Sequence, residues 1–337
     1  MTRAAGPLLR IAIAGASSLL GREITELLSS SSLPAHDLRL LDDAAFEGML
    51  TEAGGEPGVI RSLSADSFEG ARLVFFAGLQ EFAARHWADA QRAGAAVVDL
   101  SGALAGVRAA AVSIPSLNSR LGPLRPPNAT LFRSPGAAAI VAATLSVGLR
   151  EFPVRRLAAT FFHSVSELGQ DGIDELESQT ASLLSFQPIA REVFDAQVAF
   201  NLLERYGESS RERLEDLRAR IAADVSGYLG YRAPMPAIQV VQAPVFYGAA
   251  FSVFAEFEGT FQQHTLEEAL REVGVTVGPE SPTNASVAGS VEISATLRCD
   301  ANLPIAWWIW GAVDNVRLAA HNAVRIAEHV LATDHER

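Results

Sequence analysis

The strongest constraint on this chain is a short apolar run, Leu9–Ala14, that stops at Gly15-Ala16-Ser17-Ser18-Leu19-Leu20-Gly21 and passes into an amphipathic stretch over residues 18–30. A buried strand, a glycine turn and a helix, in that order, open a βαβ unit. The rhythm recurs. Apolar strand-like runs lie at 38–41, 73–76, 96–99 and 130–133, a helical stretch covers 80–92, and another helix follows Pro135. Such alternation predicts a mostly parallel sheet covered by helices on both faces, with right-handed crossovers.

The second half has a different texture. Residues 156–166 alternate over a long span, as in an antiparallel strand with one covered face. Helical periodicity returns at 170–184 and 212–225, long strand-like runs follow at 238–246, 249–257, 291–297 and 305–313, and a terminal helix spans 315–332. Long antiparallel strands with helices on one side predict an α+β domain. The chain of 337 residues is long enough for two domains. The boundary is expected near 151–153, giving a first domain of residues 1–151 joined by 315–337 and a second of 152–314.

The glycine turn stands where a dinucleotide fold holds its phosphates. Glycine lets the backbone approach a pyrophosphate, and the helix N-terminus adds free N–H groups and a positive dipole end. Gly15 and Gly21 are present, and Ser18 stands where a middle glycine is common. Two readings are open: a nucleotide site built from Gly15, Ser17, Ser18, Leu19 and Gly21, or a tight turn in which Gly21 lets the helix pack on the sheet. Asp42 and Asp43 close the second strand about 20 residues on, where an acid bonds the ribose 2′-hydroxyl of NAD and repels the 2′-phosphate of NADP. No Arg or Lys follows before Arg61. Any bound dinucleotide is therefore expected to be NAD ahead of NADP, and an empty turn is the other outcome.

A formal net charge of −12 excludes nucleic acid and anionic membranes as partners. The single cysteine, Cys299, forbids an intramolecular disulfide, and a lone cysteine in a strand is normally a small core hydrophobe. No run reaches the roughly 18 apolar residues of a spanning helix, and residues 1–10 are too short and polar for a signal peptide. The expected location is the cytoplasm. The seven histidines are scattered, without metal-ligand spacing.

Further motifs fall in one order along the chain: Phe75-Phe76-Ala77-Gly78, Val97-Val98-Asp99-Leu100-Ser101, Ser134-Pro135-Gly136, Val165-Ser166, Ala243-Pro244-Val245-Phe246-Tyr247-Gly248 and Asp314-Asn315-Val316-Arg317. With the glycine turn they resemble the aspartate-β-semialdehyde dehydrogenase family across nearly the whole chain. Residues 239–248 and 312–328 are most similar to its Usg-type branch. The resemblance implies an α/β fold: a Rossmann-like dinucleotide-binding domain plus an α+β dimerisation domain. It adds Ala77, Gly78 and Asn315 to the expected cofactor contacts and implies a homodimer. Trp307, Trp308 and Trp310 then read as a strand of the subunit interface.

The family reduces β-aspartyl phosphate with NADPH through a cysteine thioester, a histidine proton shuttle and two substrate arginines. By the resemblance, the cysteine position is Ala137, the histidine position Ala249, and the arginine positions Gln242 and Ala105. An active-site glutamine becomes His163, and the lysine of the last motif becomes Leu318. Alanine cannot form a thioester, and glutamine lacks the charged fork that a carboxylate wants. Losing a nucleophile costs on the order of 10⁶ in rate, about 8 kcal/mol of barrier. The expected protein is a catalytically silent homologue acting as a binding or scaffold protein, with hetero-association to another protein as one role. Two alternatives stay open: a nicotinamide-dependent reductase of altered chemistry with His163 as proton donor, and an authentic semialdehyde dehydrogenase. Ser134 or Ser166 beside His163 is a weaker candidate for nucleophile and base.

Overall fold

The computed structural model describes residues 9–33, 36–53, 56–122 and 129–335. The chain forms two compact units. The first holds strands β1 (Leu9–Ala14), β2 (His36–Asp42), β3 (Leu50–Ala53), β4 (Glu56–Val59), β5 (Arg61–Ser62), β6 (Leu73–Phe76), β7 (Ala96–Asp99), β8 (Ala111–Val112) and β9 (Leu131–Arg133), with helices α1 (Leu19–Ser29) and α2 (Gln80–Arg92). Seven strands form one sheet in the order β5-β2-β1-β6-β7-β9-β8, every pair parallel. Buried on both faces, β1, β6 and β7 are apolar throughout or nearly so, as central parallel strands must be. Arg10 in β1 and Asp99, which closes β7, are the exceptions. β3 and β4 make a separate antiparallel hairpin. The Gly- and Pro-rich sequence there gives no alternation from which a strand could be read.

The second unit contains α3 (Asn118–Leu121), α4 (Ala137–Gly148), β10 (Val154–His163), α5 (Gly169–Leu184), α6 (Leu214–Leu229), β11 (Ala237–Gln242), β12 (Ala249–Phe257), α7 (Gln263–Arg271), β13 (Val275–Val277), β14 (Ile293–Cys299) and β15 (Ala306–Val313). Its six strands run β11-β10-β12-β15-β14-β13. The four central strands pair antiparallel, and each edge strand joins parallel. Alternation sorts the residues of β10, β12 and β15. Leu157, Ala159, Phe161, Val253, Ala255, Trp307 and Ile309 enter the core, while Phe162, Phe254, Trp308 and Trp310 lie on the other face. Phe254 meets Trp308 at 5.1 Å and Phe162 meets Trp310 at 6.2 Å between ring centroids.

The domain boundary differs from the sequence expectation. α4 belongs to the second unit, which comprises residues 116–123 and 136–318. Every residue of α4 is buried, as in a helix that is apolar all round, and it packs against α6 and α7. The last helix, α8 (Asn315–His335), starts in the second unit, and its turns from Ala319 belong to the first. There Ala320, Ala323, Val324 and Ala327 join the core of β1, β2 and β6.

Between α5 and α6 the chain runs from 185 to 213 without helix or strand. Two buried side chains one turn apart on α5 hold its first part. Glu175 accepts from the N–H of Val193 and Phe194; Gln179 accepts from those of Val198 and Ala199 and donates to the carbonyls of Ala190 and Ala196. Its later part is fixed by Leu203, whose N–H and C=O pair with those of Gln242.

Candidate functional site

In the first unit the glycine turn is shaped by contacts that only these residues permit. Gly15 has φ +91°, and a Cβ there would sit 2.2 Å from the Gly78 nitrogen. A Cβ on Gly21 would sit 2.2 Å from the Gly15 carbonyl oxygen. Ser18 caps α1: its Oγ accepts from Gly21 N–H at 2.9 Å and lies 2.8 Å from the carbonyl oxygens of Gly15 and Ala77. Asp42 is buried beside the turn, accepting from Ser17 N–H at 2.8 Å and Asp43 N–H at 2.9 Å. Gly15, Ser17, Ser18, Leu19, Gly21, Asp42, Ala77 and Gly78 thus converge at the end of β1. Among the described residues, the N–H groups of Leu19 and Leu20 have no protein partner, as expected for the first turn of a helix. Arg85 of α2 lies 3.8 Å from Asp43, a cation near this site that sequence distance concealed.

Ala105 is exposed in the loop after β7. Buried Asp99 ties that loop down, accepting from Ser101 N–H, Ser101 Oγ and Leu104 N–H at 2.9, 2.6 and 2.8 Å. Burial pushes the Asp99 carboxyl above the usual carboxylate range, and these bonds and Arg133 only partly offset that.

The other family positions lie in the second unit, all buried: Ala137, His163, Gln242, Ala249 and Leu318. Ala137 opens α4 after the cap residue Gly136. His163 and Gln242 end neighbouring parallel strands in register and share a face. Ala249 begins β12 one residue before the partner of Phe162. Gln242 is fully committed to the protein: Oε1 accepts from the Tyr206 hydroxyl at 2.6 Å, and Nε2 donates to the carbonyls of His163 and Ala243 at 3.1 and 2.7 Å. Burial, with Glu167 and Glu212 nearby, pushes the Tyr206 phenol far up, so it stays a donor.

His163 is 1% exposed, and among the described residues neither ring nitrogen has a hydrogen-bond partner. Burial holds its pKa below the ordinary histidine value, against the pull of Glu167 and Glu212. Within the second unit, Ser166 does not bond the ring. Ser166 Oγ engages Asn315 and Ser164, and Ser134 Oγ accepts from Asn322.

Asn315, expected at the cofactor, spends its amide inside the second unit. Oδ1 accepts from Gly248 N–H at 2.9 Å, and Nδ2 donates to Ser166 Oγ and Glu167 Oε1, each at 3.0 Å. Asn284 Nδ2 donates to the Gly248 carbonyl at 2.7 Å. These two asparagines set the turn before Ala249. Tyr206 and Asn284 gave no signal in the sequence, because their partners are remote along the chain.

Cys299 is not the core residue its strand context implied. It is exposed, with Sγ 3.7 Å from the carbonyls of Asp300 and Pro304. It pairs with Trp307 at one end of β15, whereas Ala249 pairs with Val313 at the other. At about 3.3 Å per residue, roughly 20 Å of strand separate them. Cys299 cannot replace a nucleophile at the Ala249 end. Among the described residues no cluster of His, Cys, Asp and Glu could hold a metal ion, and no helix is long and apolar enough to cross a membrane.

A parallel sheet with its glycine turn, followed by a mixed sheet that exposes aromatic residues on one face, defines a chain with a Rossmann-like domain and an α+β domain. Two family descriptions match it: "Semialdehyde dehydrogenase, NAD binding domain" over residues 10–121 and "Semialdehyde dehydrogenase, dimerisation domain" over 148–318. The chain belongs to the aspartate-semialdehyde dehydrogenase family. It is 33% identical to a USG-1 protein homolog of Pseudomonas aeruginosa, over 95% of this chain and 97% of that one. It is 27% identical to an aspartate-semialdehyde dehydrogenase of Rickettsia bellii, over 96% and 98%. The solved structure of a probable aspartate-semialdehyde dehydrogenase from Pseudomonas aeruginosa superposes with a TM-score of 0.84 at 31% identity, covering 96% of this chain and 98% of that one.

Proposed function

We propose that this chain is a catalytically silent member of the family, a homodimer that keeps the dinucleotide turn and works by binding. One observation carries this reading. The position that would hold the nucleophile is a buried alanine at the start of α4, and the proton-shuttle position is a buried alanine at the start of β12. Gln242 supports it too. Its amide already serves Tyr206, His163 and Ala243, so it has no hydrogen atom left to offer a substrate. An assay of phosphate-dependent oxidation of aspartate semialdehyde tests the reading. The expected result is no turnover above background, and turnover at an ordinary enzymatic pace overturns it.

A nicotinamide dinucleotide fits the turn. Gly15, Ser17, Ser18, Leu19 and Gly21 would hold the pyrophosphate, and Asp42 the ribose. When bound, such a group supplies a hydride acceptor or donor; this chain contributes binding and orientation. The carboxylates of Asp42 and Asp43 favour NAD, and Arg85 is already engaged by Asp43. Thermal-shift titration should give a larger rise in Tm with NAD than with NADP; the reverse order rejects this preference. The aromatic face of Phe162, Phe254, Trp308 and Trp310 is the proposed dimer surface. Light scattering at low micromolar concentration should return a dimer mass, and a monomer mass rejects it.

A further inference from the structure

We propose that His163 is the acid-sensitive pin of a latch that holds residues 200–212 against the end of β11. The chain makes three ties there. Leu203 N–H donates to the Gln242 carbonyl at 3.0 Å, and Gln242 N–H donates to the Leu203 carbonyl at 2.8 Å. The Tyr206 hydroxyl donates to Gln242 Oε1 at 2.6 Å. Gln242 is in turn held by His163, whose carbonyl accepts from Gln242 Nε2 and from Ala243 N–H. All three ties therefore converge on one residue, which lies beside the histidine on the same face of the sheet.

The imidazole is fully enclosed, and among the described residues its Nδ1 and Nε2 bond nothing. A neutral ring tolerates that arrangement at some cost. An imidazolium has two N–H donors and a full charge, and it cannot remain there without acceptors. The charged groups acting on the ring are Glu167, just beyond β10, Glu212, at the end of the irregular segment, and Arg220, on α6. Glu212 is paired with Arg220 at 2.5 Å, and Glu167 accepts from Asn315. Neither carboxylate reaches the ring while the segment is closed. Opening the segment would break the ties to Gln242, the ring's neighbour in register, and admit water beside it.

The sign follows from where the proton binds. In the open form the ring titrates near its ordinary value of about 6.5. In the closed form burial lowers the pKa. Closure is thus fully favoured above about pH 6.5, and the ratio of open to closed rises as pH falls below it, up to tenfold per unit. The first part of the segment is insulated from this. Val198 and Ala199 donate to the uncharged amide of Gln179, and they should stay held when Leu203 lets go.

Hydrogen exchange on the full chain tests the latch. After correction for intrinsic rates, exchange at Leu203 and Gln242 is expected to rise about tenfold from pH 7.5 to pH 5.5, with Val198 and Ala199 unchanged. In His163→Gln, which cannot titrate, the rise is expected to vanish. Equal protection at both pH values, or the same rise in the variant, overturns the proposal. Should the variant fail to fold, the ring can be titrated by NMR in the unaltered protein. A closed-state pKa well below 6.5 is expected, and a ring that titrates near 6.5 with Leu203 still protected overturns it.

Discussion

The glycine turn of the first unit and the proposed reaction positions of the second are built from different materials. The turn is made largely of main chain: Gly15 lies against Gly78, Gly21 lies against Gly15, and among the described residues the amides of Leu19 and Leu20 bond no protein group. Two side chains tie it: Ser18 supplies the cap where glycine is common, and the Asp42 carboxylate accepts from Ser17 N–H. The reaction positions, as the proposed function assigns them, are a matter of side chains: Ala137, His163, Gln242 and Ala249 stand on ordinary strands and a helix. A site made of backbone persists while the fold persists. A site made of side chains can be deleted residue by residue.

The largest effect is expected from trying to refill the second site. Gln242→Arg would place a cation where a fully buried amide now satisfies Tyr206 and two carbonyls. It should cost about 4 kcal/mol, read as a lower urea midpoint, with no activity gained. Unchanged stability together with new turnover would show that the site is intact but for its arginine, and the contrast would collapse. Next comes the turn. Gly15→Val forces a β-branched residue to φ +91° with its Cβ on the Gly78 nitrogen. A loss of roughly 3 kcal/mol and of any NAD-induced rise in Tm is expected. The smallest effects sharpen the comparison at Ser18. Ser18→Ala should cost about 1 kcal/mol through the lost cap, whereas Ser18→Gly should cost only a few tenths. If both cost the same, the bond from Ser18 Oγ to Gly21 contributes nothing.

The turn was legible because its parts are consecutive: strand, glycine, cap and helix lie within residues 9–29. Leu9–Ala14, Leu73–Phe76, Ala96–Asp99 and Ala249–Phe257 were readable to the residue, being apolar or alternating runs with sharp ends. The pair β3 and β4 and the three-residue edge strand β13 were not, since neither has a clean period, and α7, though Leu266 and Leu270 lie one turn apart on its buried face, is only nine residues long. The sequence places α4 with the first domain, and its contacts group it with the second unit. Its apolar residues announce a buried helix but cannot say in which core. Ties such as Tyr206 to Gln242 or Asn315 to Gly248 span 36 and 67 residues and exist only once the sheet has formed.

The grip of α5 on its neighbouring segment has an evolutionary corollary. Glu175 and Gln179 touch peptide groups at 190, 193, 194, 196, 198 and 199, and no side chain of that stretch takes part in those bonds. A fastening that ignores identity leaves the letters it fastens open to rewriting. Within one lineage the stretch can drift, or acquire a recognition sequence, while two positions on a helix keep it in place.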